Sequence, residues 1–335
     1  MKIAVVGATG AIGRTFLKVL SERNFPMDEL YLFASARSAR QELECRGKIY
    51  KVEELDEHSF DRGVDIALFS AGGEISLKYA PIAAAEGCVV VDNSSAWRMK
   101  DDVPLVVPEV NPEDIKWHKG IIANPNCSTI QAVAALWPLH RAYGVKRIVY
   151  STYQAVAGAG MSGVRDLEEG LKGGAPKKFP HPIAGNCLPQ IDVFLEDGYT
   201  KEEEKMINET RKIMHAPELK ATATCVRVPV FYGHSESINA EFEKPYDLAE
   251  LRELLRNSPG IVVQDDPGAG IYPMPVNAAG ADDVYVGRIR RDNSVESGVN
   301  LWVVSDSTRK GAAYNAIQIA ELLSKNNLPW KRAIN

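Results

Sequence analysis

The sequence predicts an α/β protein of two domains, a doubly wound parallel sheet followed by an α+β domain on a mostly antiparallel sheet. Three observations predict it. Short apolar runs alternate with helically spaced segments through residues 1–126. A glycine-rich turn, "GATGAIG", follows the first of those runs. From about residue 146 the runs lengthen and partly alternate, as strands with one buried face do.

"KIAVVGA" is a buried strand, and "AIGRTFLKVLSER" after it carries helical spacing. "LYLFAS", "DIALFSA", "CVVVDNS" and "LVVPEV" read as the second to fifth strands, and "GIIAN" as one more that ends at a cysteine turn. Continuous apolarity over so few residues suits a parallel sheet covered on both faces and joined by right-handed crossovers. Further on, "RIVYSTYQAV", "ATCVRVPVF", "SINAEFE", "DVYVGRIRR" and "VNLWVVSD" read as longer strands. Two helices, "TKEEEKMINETRKIM" and "DLAELRELLRN", lie among them. "GLKGGAPKKFPHPIAGN" and "QDDPGAGIYPMPVNAAGADD" read as loops. The last helix, "RKGAAYNAIQIAELLSK", is spaced to pack back on the first domain. The expected division is 1–126 plus about 308–330, and 127–307.

Composition narrows the function. A chain of 335 residues with 45% hydrophobic and 25% charged content is long enough to bury two cores. Its net charge of -5 gives no reason to expect nucleic acid or an anionic membrane as partner. No apolar run is long enough to span a bilayer. The opening "MKIAVVGATG" lacks a small-residue cleavage site, so it reads as a strand and not a signal peptide, and the cytoplasm is the expected compartment. The five cysteines are scattered and form no C-x-x-C pair, which speaks against a disulfide framework or a structural zinc; no metal is expected. Cys88 and Cys225 sit in apolar strand-like runs and read as packing residues.

Gly7, Thr9, Gly10, Ala11, Ile12 and Gly13 lie between the first strand and the first helix. Glycines there allow a tight turn and let amides approach a pyrophosphate at the helix start, as in a Rossmann-type fold. The spacing is G-x-x-G-x-x-G, and its position after the first strand gives it weight. NAD-binding folds usually carry a carboxylate at the end of the second strand. This chain has Ala34-Ser35-Ala36-Arg37-Ser38 there. Ser35, Arg37 and Ser38 suit a 2′-phosphate, so NADP is the expected cofactor.

Cys127 in "ANPNCST" is the one cysteine placed in a polar turn before a helix. The partial positive charge of a helix N-terminus favours thiolate, and its amides can hold an oxyanion. That makes Cys127 a candidate nucleophile.

At this point a resemblance is plain. "VVGATGAIG", "DNSSAWRM", "VPEVN", "NPNCST", "STYQAV", "CVRVPV" and "GHSES", in this order, resemble the aspartate-β-semialdehyde dehydrogenase family over essentially the whole chain. The N-x-N-C-S/T turn and the R-x(6)-H pair are the specific motifs. The resemblance implies reversible, NADP-dependent conversion of aspartyl phosphate to aspartate semialdehyde and phosphate. It implies a step toward lysine, methionine, threonine, isoleucine and diaminopimelate, by a homodimer or homotetramer whose second domain is catalytic and dimerising. It further implies Cys127 as the thioester-forming nucleophile and His234 as general acid/base. Arg227 would hold the substrate carboxylate, Gln154 would orient substrate, and Glu202 would meet its ammonium. Arg98, Asn126 and Lys205 would contact phosphate. Ala157, Gly158 and Asn315 would join the glycine turn and the Ser35–Arg37–Ser38 loop in holding the cofactor.

One position departs from the pattern. Many members carry serine where Ala157 stands, so any contact from that hydroxyl is lost while the backbone contact survives. Two other readings remain open on sequence: a sister acyl-phosphate reductase such as N-acetyl-glutamyl-phosphate reductase, and a non-catalytic NADP-binding sensor. The "NPNCST" turn and the Arg227/Glu202 pair argue against the first, and the intact Cys127, His234 and Arg227 against the second.

Overall fold

The computed structural model describes residues 1–326. The end of the expected last helix, 327–330, lies outside the described residues. The chain divides into two compact units, Met1–Pro125 with Ala312–Asn335, and Asn126–Gly311.

In the first unit β1 (Lys2–Val6) runs into the glycine turn and α1 (Ala11–Glu22). Then come β2 (Glu29–Ala34), β3 (Glu42–Cys45), β4 (Lys48–Glu54), β5 (Ile66–Phe69), α2 (Gly73–Ala85), β6 (Val89–Asp92) and β7 (Ile121–Ala123). The sheet order is β3-β4-β2-β1-β5-β6-β7. Every pairing is parallel except β3 with β4. All four residues of β5 and all four of β6 are buried, which is why both read as unbroken apolar runs.

Two expectations change here. "LVVPEV" is not a strand: Leu105 makes a single bridge to Ala123. Pro104 precedes the run and Pro108 interrupts it, and neither has an N–H for a ladder, so pairing stops after Val106 N–H reaches Ala123 O. Conversely, "ELEC" and "KIYKVEE" form an antiparallel hairpin that its polar composition hid. Its two-residue loop is Arg46–Gly47, with φ of 54° and 71°, the doubly left-handed turn that suits a twisted hairpin.

The second unit begins with α3 (Cys127–Tyr143) and β8 (Val145–Gln154). It continues through α4 (Met161–Gly170), α5 (Lys201–Ile213), β9 (Lys220–Arg227), β10 (His234–Phe242) and α6 (Leu248–Arg256). It ends with β11 (Ile261–Val263), α7 (Pro275–Ala278), β12 (Val284–Asp292) and β13 (Gly298–Ser305). The sheet order is β11-β12-β13-β10-β8-β9. The three central pairings are antiparallel and the two outer ones parallel. The residues from Ile130 to Leu136 on α3 are all buried, so this helix is hydrophobic almost all round.

The chain re-enters the first unit through a wide helical turn, Arg309–Ala313, where Gly311 N–H bonds to Asp306 O five residues back. α8 (Tyr314–Lys325) follows. Its Ile317, Ile319 and Leu323 join Phe16, Leu20, Leu32 and Leu68 in the core of that unit. No helix among the described residues is long and apolar enough to cross a membrane.

β9 ends at Arg227 and β10 begins at His234, so the segment between them must reverse the chain. Gly233 completes the reversal at φ +83°, and a Cβ there would lie 3.1 Å from the Cα of Pro275. Gly233→Ala should therefore lower stability by about 1–3 kcal/mol, from left-handed strain plus crowding. Gly270→Ala, at φ +69° with nothing within 4 Å, is the control that meets only the backbone penalty. Urea denaturation of the two variants checks this; equal losses would remove the crowding from the account.

Candidate active site

The cysteine turn is built by its own sequence. Asn126 is the N-cap of α3, and its Oδ1 accepts from the N–H groups of Ser128 (3.0 Å) and Thr129 (3.3 Å). Cys127 therefore occupies the first helical position, partly exposed, while Cys88 and Cys225 are fully buried. Burial pushes both of those thiols far up. The cap also changes one expectation: two of the amides thought able to hold an oxyanion are already spent on Asn126.

The amide nitrogen of the same cap side chain serves a second group. Asn126 Nδ2 donates to Glu202 Oε1 at 2.9 Å, and Gln154 Nε2 donates to the same oxygen at 3.0 Å. Lys205 Nζ donates to Glu202 Oε2 at 3.1 Å and to Asp192 Oδ2 at 2.8 Å. The E-x-x-K spacing on α5 puts Glu202 and Lys205 on one face, so the pair forms within the helix. α5 is itself started by a capping box between Thr200 and Glu203. Burial alone would raise the Glu202 carboxyl. The Lys205 charge and the three donors outweigh it and hold the group at about 2. Lys205 is pulled down by burial, but the charge of Glu202 and the bond to Asp192 leave it above its ordinary value.

Arg227 and His234 meet on the backbone of one residue. Arg227 Nη1 donates to Ala155 O at 2.7 Å, and Ala155 N–H donates to His234 Nδ1 at 3.0 Å. Both side chains border the space beside Gly158: a Cβ there would sit 3.0 Å from Arg227 Nη1 and 3.2 Å from His234 Nε2. Arg227 is also close enough to Cys127 for their charges to couple, while burial pulls its guanidinium below the ordinary value. Thus the second unit brings together Cys127, Asn126, Gln154, Glu202, Lys205, Arg227, His234 and Gly158, with Ala157 on the same short turn.

Two residues of this cluster escaped sequence reasoning. Glu209 accepts the Asn126 N–H at 2.6 Å, and it lies two turns along α5 from Glu202. Gln131, one turn along α3 from Cys127, donates to His234 O at 3.3 Å and accepts from Ser305 Oγ at 2.8 Å. A helical wheel through Cys127 and Glu202 would have flagged both.

In the first unit a cleft of about 410 Å³ is lined by Gly7, Thr9, Gly10, Ser35, Arg37 and Ser38, among others. Gly7 has φ +83°, and a Cβ there would overlap Ser70 O at 2.4 Å; a Cβ on Gly13 would overlap Gly7 O at 2.2 Å. Ala11 and Ile12 open α1, whose N-cap, Gly10, places no side chain over the helix amides. This turn fits a dinucleotide pyrophosphate, in contrast to the capped start of α3. Glu54 also lines the cleft. The sequence reading found no carboxylate at the end of β2, but β4 pairs Glu54 with Ala34 and supplies one from the neighbouring strand.

Arg98 and Asn315 are buried in the same unit. Arg98 Nε and Nη2 donate to Asn124 O and Asn93 O. Asn315 Nδ2 donates to Val106 O and to Asn124 Oδ1. Among the described residues no group of three or more His, Cys, Asp or Glu could hold a metal ion.

Two family models match the chain. Residues 2–118 match the semialdehyde dehydrogenase NAD binding domain, and residues 136–310 the semialdehyde dehydrogenase dimerisation domain. Together they define a semialdehyde dehydrogenase, an oxidoreductase with a Rossmann-type nicotinamide-binding domain. The aspartate-semialdehyde dehydrogenase of Aquifex aeolicus is 60% identical, over 98% of this chain and 99% of its own. A crystal structure of aspartate semialdehyde dehydrogenase II from Vibrio cholerae, complexed with ASA, superposes with a TM-score of 0.92 at 49% identity, over 97% and 98% of the two chains. The Candida albicans aspartate semialdehyde dehydrogenase with NADP gives 0.77 at 28% identity, over 97% and 99%. The chain belongs to the aspartate-semialdehyde dehydrogenase family, whose work lies in amino-acid biosynthesis.

The low value of Glu202 carries a sign. Its folded value, about 2, lies below the ordinary 4.5, so it adds stability above pH 4.5 that is lost as pH falls toward 2. Glu202→Gln should flatten the loss of stability across that window, relative to the parent. Urea midpoints measured across it test this; parallel curves for the two proteins would mean that Glu202 is not held low.

Proposed function

We propose that the protein catalyses the reversible, NADP-dependent interconversion of L-aspartyl-4-phosphate and L-aspartate-4-semialdehyde, with phosphate, through a thioester on Cys127. The observation that carries this reading is the convergence of Cys127, Arg227, His234 and the Glu202 cluster in one unit. A substrate with a carboxylate, an ammonium and a phosphate needs a cation, an anion and a further cation close to one nucleophile. Arg227 is the proposed partner of the α-carboxylate, and Glu202 of the ammonium. Gln154 positions Glu202 and so orients the substrate. Arg98, Asn126 and Lys205 are the proposed phosphate contacts.

Cys127 adds to the acyl carbon, and His234 serves the changes of charge and proton at the substrate oxygen. The nicotinamide, when bound, supplies or accepts the hydride. Gly7, Thr9, Gly10, Ala11, Ile12 and Gly13 would hold its pyrophosphate, and Ser35, Arg37 and Ser38 its 2′-phosphate. Ala157 and Gly158 would contact it by backbone, and Asn315 would support the nicotinamide end. The Vibrio structure complexed with ASA and the Candida structure with NADP support the substrate and the cofactor. The proposed setting is the cytoplasm, in the branch to lysine, methionine, threonine, isoleucine and diaminopimelate. The proposed assembly is a homodimer or homotetramer, in keeping with the dimerisation domain that matches residues 136–310.

The test is NADPH formation from aspartate semialdehyde plus phosphate, with N-acetylated glutamate semialdehyde as control. Cys127→Ala should abolish turnover and leave NADP binding nearly intact; substantial activity without the thiol would remove the thioester. Arg37→Ala should weaken NADP about tenfold or more, the loss of a charge-assisted contact of about 1.5–3 kcal/mol, and hardly touch NAD. Equal losses for both cofactors, by fluorescence titration, would take Arg37 out of the 2′-phosphate site.

A further inference from the structure

Arg227 is thinly held for a buried charge. It is 6% exposed, and among the described residues its guanidinium makes one hydrogen bond, from Nη1 to Ala155 O at 2.7 Å. It forms no ion pair with a described residue. A single bond leaves the plane of the guanidinium free to swing about that contact. Receiving a carboxylate through two parallel hydrogen bonds needs the plane fixed beforehand.

An aromatic ring stands where a second restraint is needed. The Arg227 guanidinium lies over the ring of Phe179, 5.9 Å from its centroid. Phe179 comes from the loop after α4, and Asp166 on α4 folds that loop back. The Asp166 carboxylate, 5% exposed, accepts the N–H groups of Lys177 at 2.6 Å, Lys178 at 3.1 Å and Phe179 at 3.0 Å. The ring then packs against a small cluster that includes Val156, Val164 and Leu167. A Cβ on Gly163 would lie 3.2 Å from Phe179 Cζ, so the glycine makes room for the ring beside α4. The same loop runs on to Leu188, whose N–H bonds to Arg227 O at 2.9 Å and whose carbonyl accepts the Arg227 N–H at 2.8 Å. One segment thus touches both the backbone and the side chain of Arg227.

We propose that Phe179, seated by Asp166, is a positioning residue for substrate: its ring holds the Arg227 guanidinium in the plane in which the remaining N–H groups meet the substrate carboxylate. This rests on the reaction proposed above and adds two residues to the part that Arg227 plays in it.

A ring suits this task better than a second carboxylate would. A carboxylate beside Arg227 would hold it harder, but would also compete with the substrate for its charge and its donors. The face of a ring attracts a cation and offers the N–H groups no strong acceptor. It narrows the swing of the guanidinium and leaves the hydrogen bonds for the ligand. The ring also answers a cost. Burial pulls the guanidinium below its ordinary value, against the opposing charge of Glu202, and a ring face offsets part of that loss of water.

Two measurements on the full-length protein test this. The first needs no substrate: NMR of the arginine side chains, with the Arg227 signals identified by their loss in Arg227→Lys. A guanidinium on a ring face carries a ring-current shift. Phe179→Leu keeps an apolar side chain and should remove that shift, while Phe179→Tyr should keep it. Arg227 signals that are the same in the parent and in Phe179→Leu overturn the contact. The second is steady-state kinetics in the oxidative direction. Phe179→Leu and Asp166→Ala should raise KM for aspartate semialdehyde about five- to tenfold, the loss of a cation held on a ring away from water. In both, kcat should stay within about twofold, and KM for phosphate and for NADP should not move. Phe179→Tyr should restore the KM of the parent. An unchanged semialdehyde KM in Phe179→Leu, an equal rise for all three substrates, or a Phe179→Tyr no better than Phe179→Leu overturns the positioning role; the parent's KM in Asp166→Ala overturns the seating by Asp166. Failure of the parent to oxidise aspartate semialdehyde would sink the reaction itself, and the NMR result would still report on the contact.

Discussion

The site depends on what happens to the backbone of Ala155. β8 ends at Gln154, whose ladder partner on β9 is Arg227. One residue further on, the ladder has stopped and Ala155 is fully buried. A buried N–H and C=O with no strand to pair with would each cost about 1–3 kcal/mol. Val156 N–H and Ala157 N–H turn instead to Val230 O and Phe231 O; the Ala155 N–H goes to a side chain, and its carbonyl accepts a side chain besides the Gly158 N–H. The carbonyl takes Arg227 and the amide takes His234. One residue just past the end of the sheet thus sets the relative position of a cation and an imidazole that are separated by a chain reversal. The Glu202 cluster plays the matching part on the other side. A carboxylate taken out of water costs several kcal/mol unless it is well bonded, and three donors from α5, β8 and the α3 cap answer that need together. None of the three can be removed without leaving a buried charge short of a partner.

Much of this was legible in the sequence, and the reasons differ from residue to residue. The glycine turn was legible because only glycine tolerates the φ of Gly7 and the closeness of Gly13 to Gly7 O. Glu202 and Lys205 were singled out only by the family resemblance, since three glutamates and a lysine at the start of a helix otherwise read as a solvated face; their contact with each other follows from a spacing of three on that helix. The end of β9 at Arg227 was not legible, since "ATCVRVPVF" reads as one strand; the reversal that follows is completed at Gly233. The hairpin of β3 and β4 was not legible. Its strands lie at a sheet edge with polar residues outward, and its turn uses arginine where asparagine is the usual signal. "LVVPEV" misled because apolarity was read without asking where the proline nitrogens would fall.

The contacts that no local pattern could give are the long-range ones. Glu54 reaches the cleft from β4, a strand that the reading had not placed at all. Glu209 and Gln131 are read correctly only once Asn126 and His234 are known to lie beside their helices. The use of the α3 amides is the clearest case. A helix start after a strand looks like an open anion site, and whether it is open depends on one side chain. Gly10 leaves the start of α1 uncovered, and Asn126 covers that of α3.

The wide turn at Arg309–Ala313 bears on how the thiol can be attacked and defended. Gly311 lies so near that a Cβ there would come within 2.9 Å of the Cβ of Cys127. Adding bulk beside a reactive cysteine is a simple way for a protein to escape an electrophilic inhibitor. At this position that escape is closed: a methyl group at 311 presses on the first turn of α3 itself, and so on the thiol it was meant to shield. A reagent that reaches Cys127 along the Gly311 side therefore meets a wall that the protein cannot thicken.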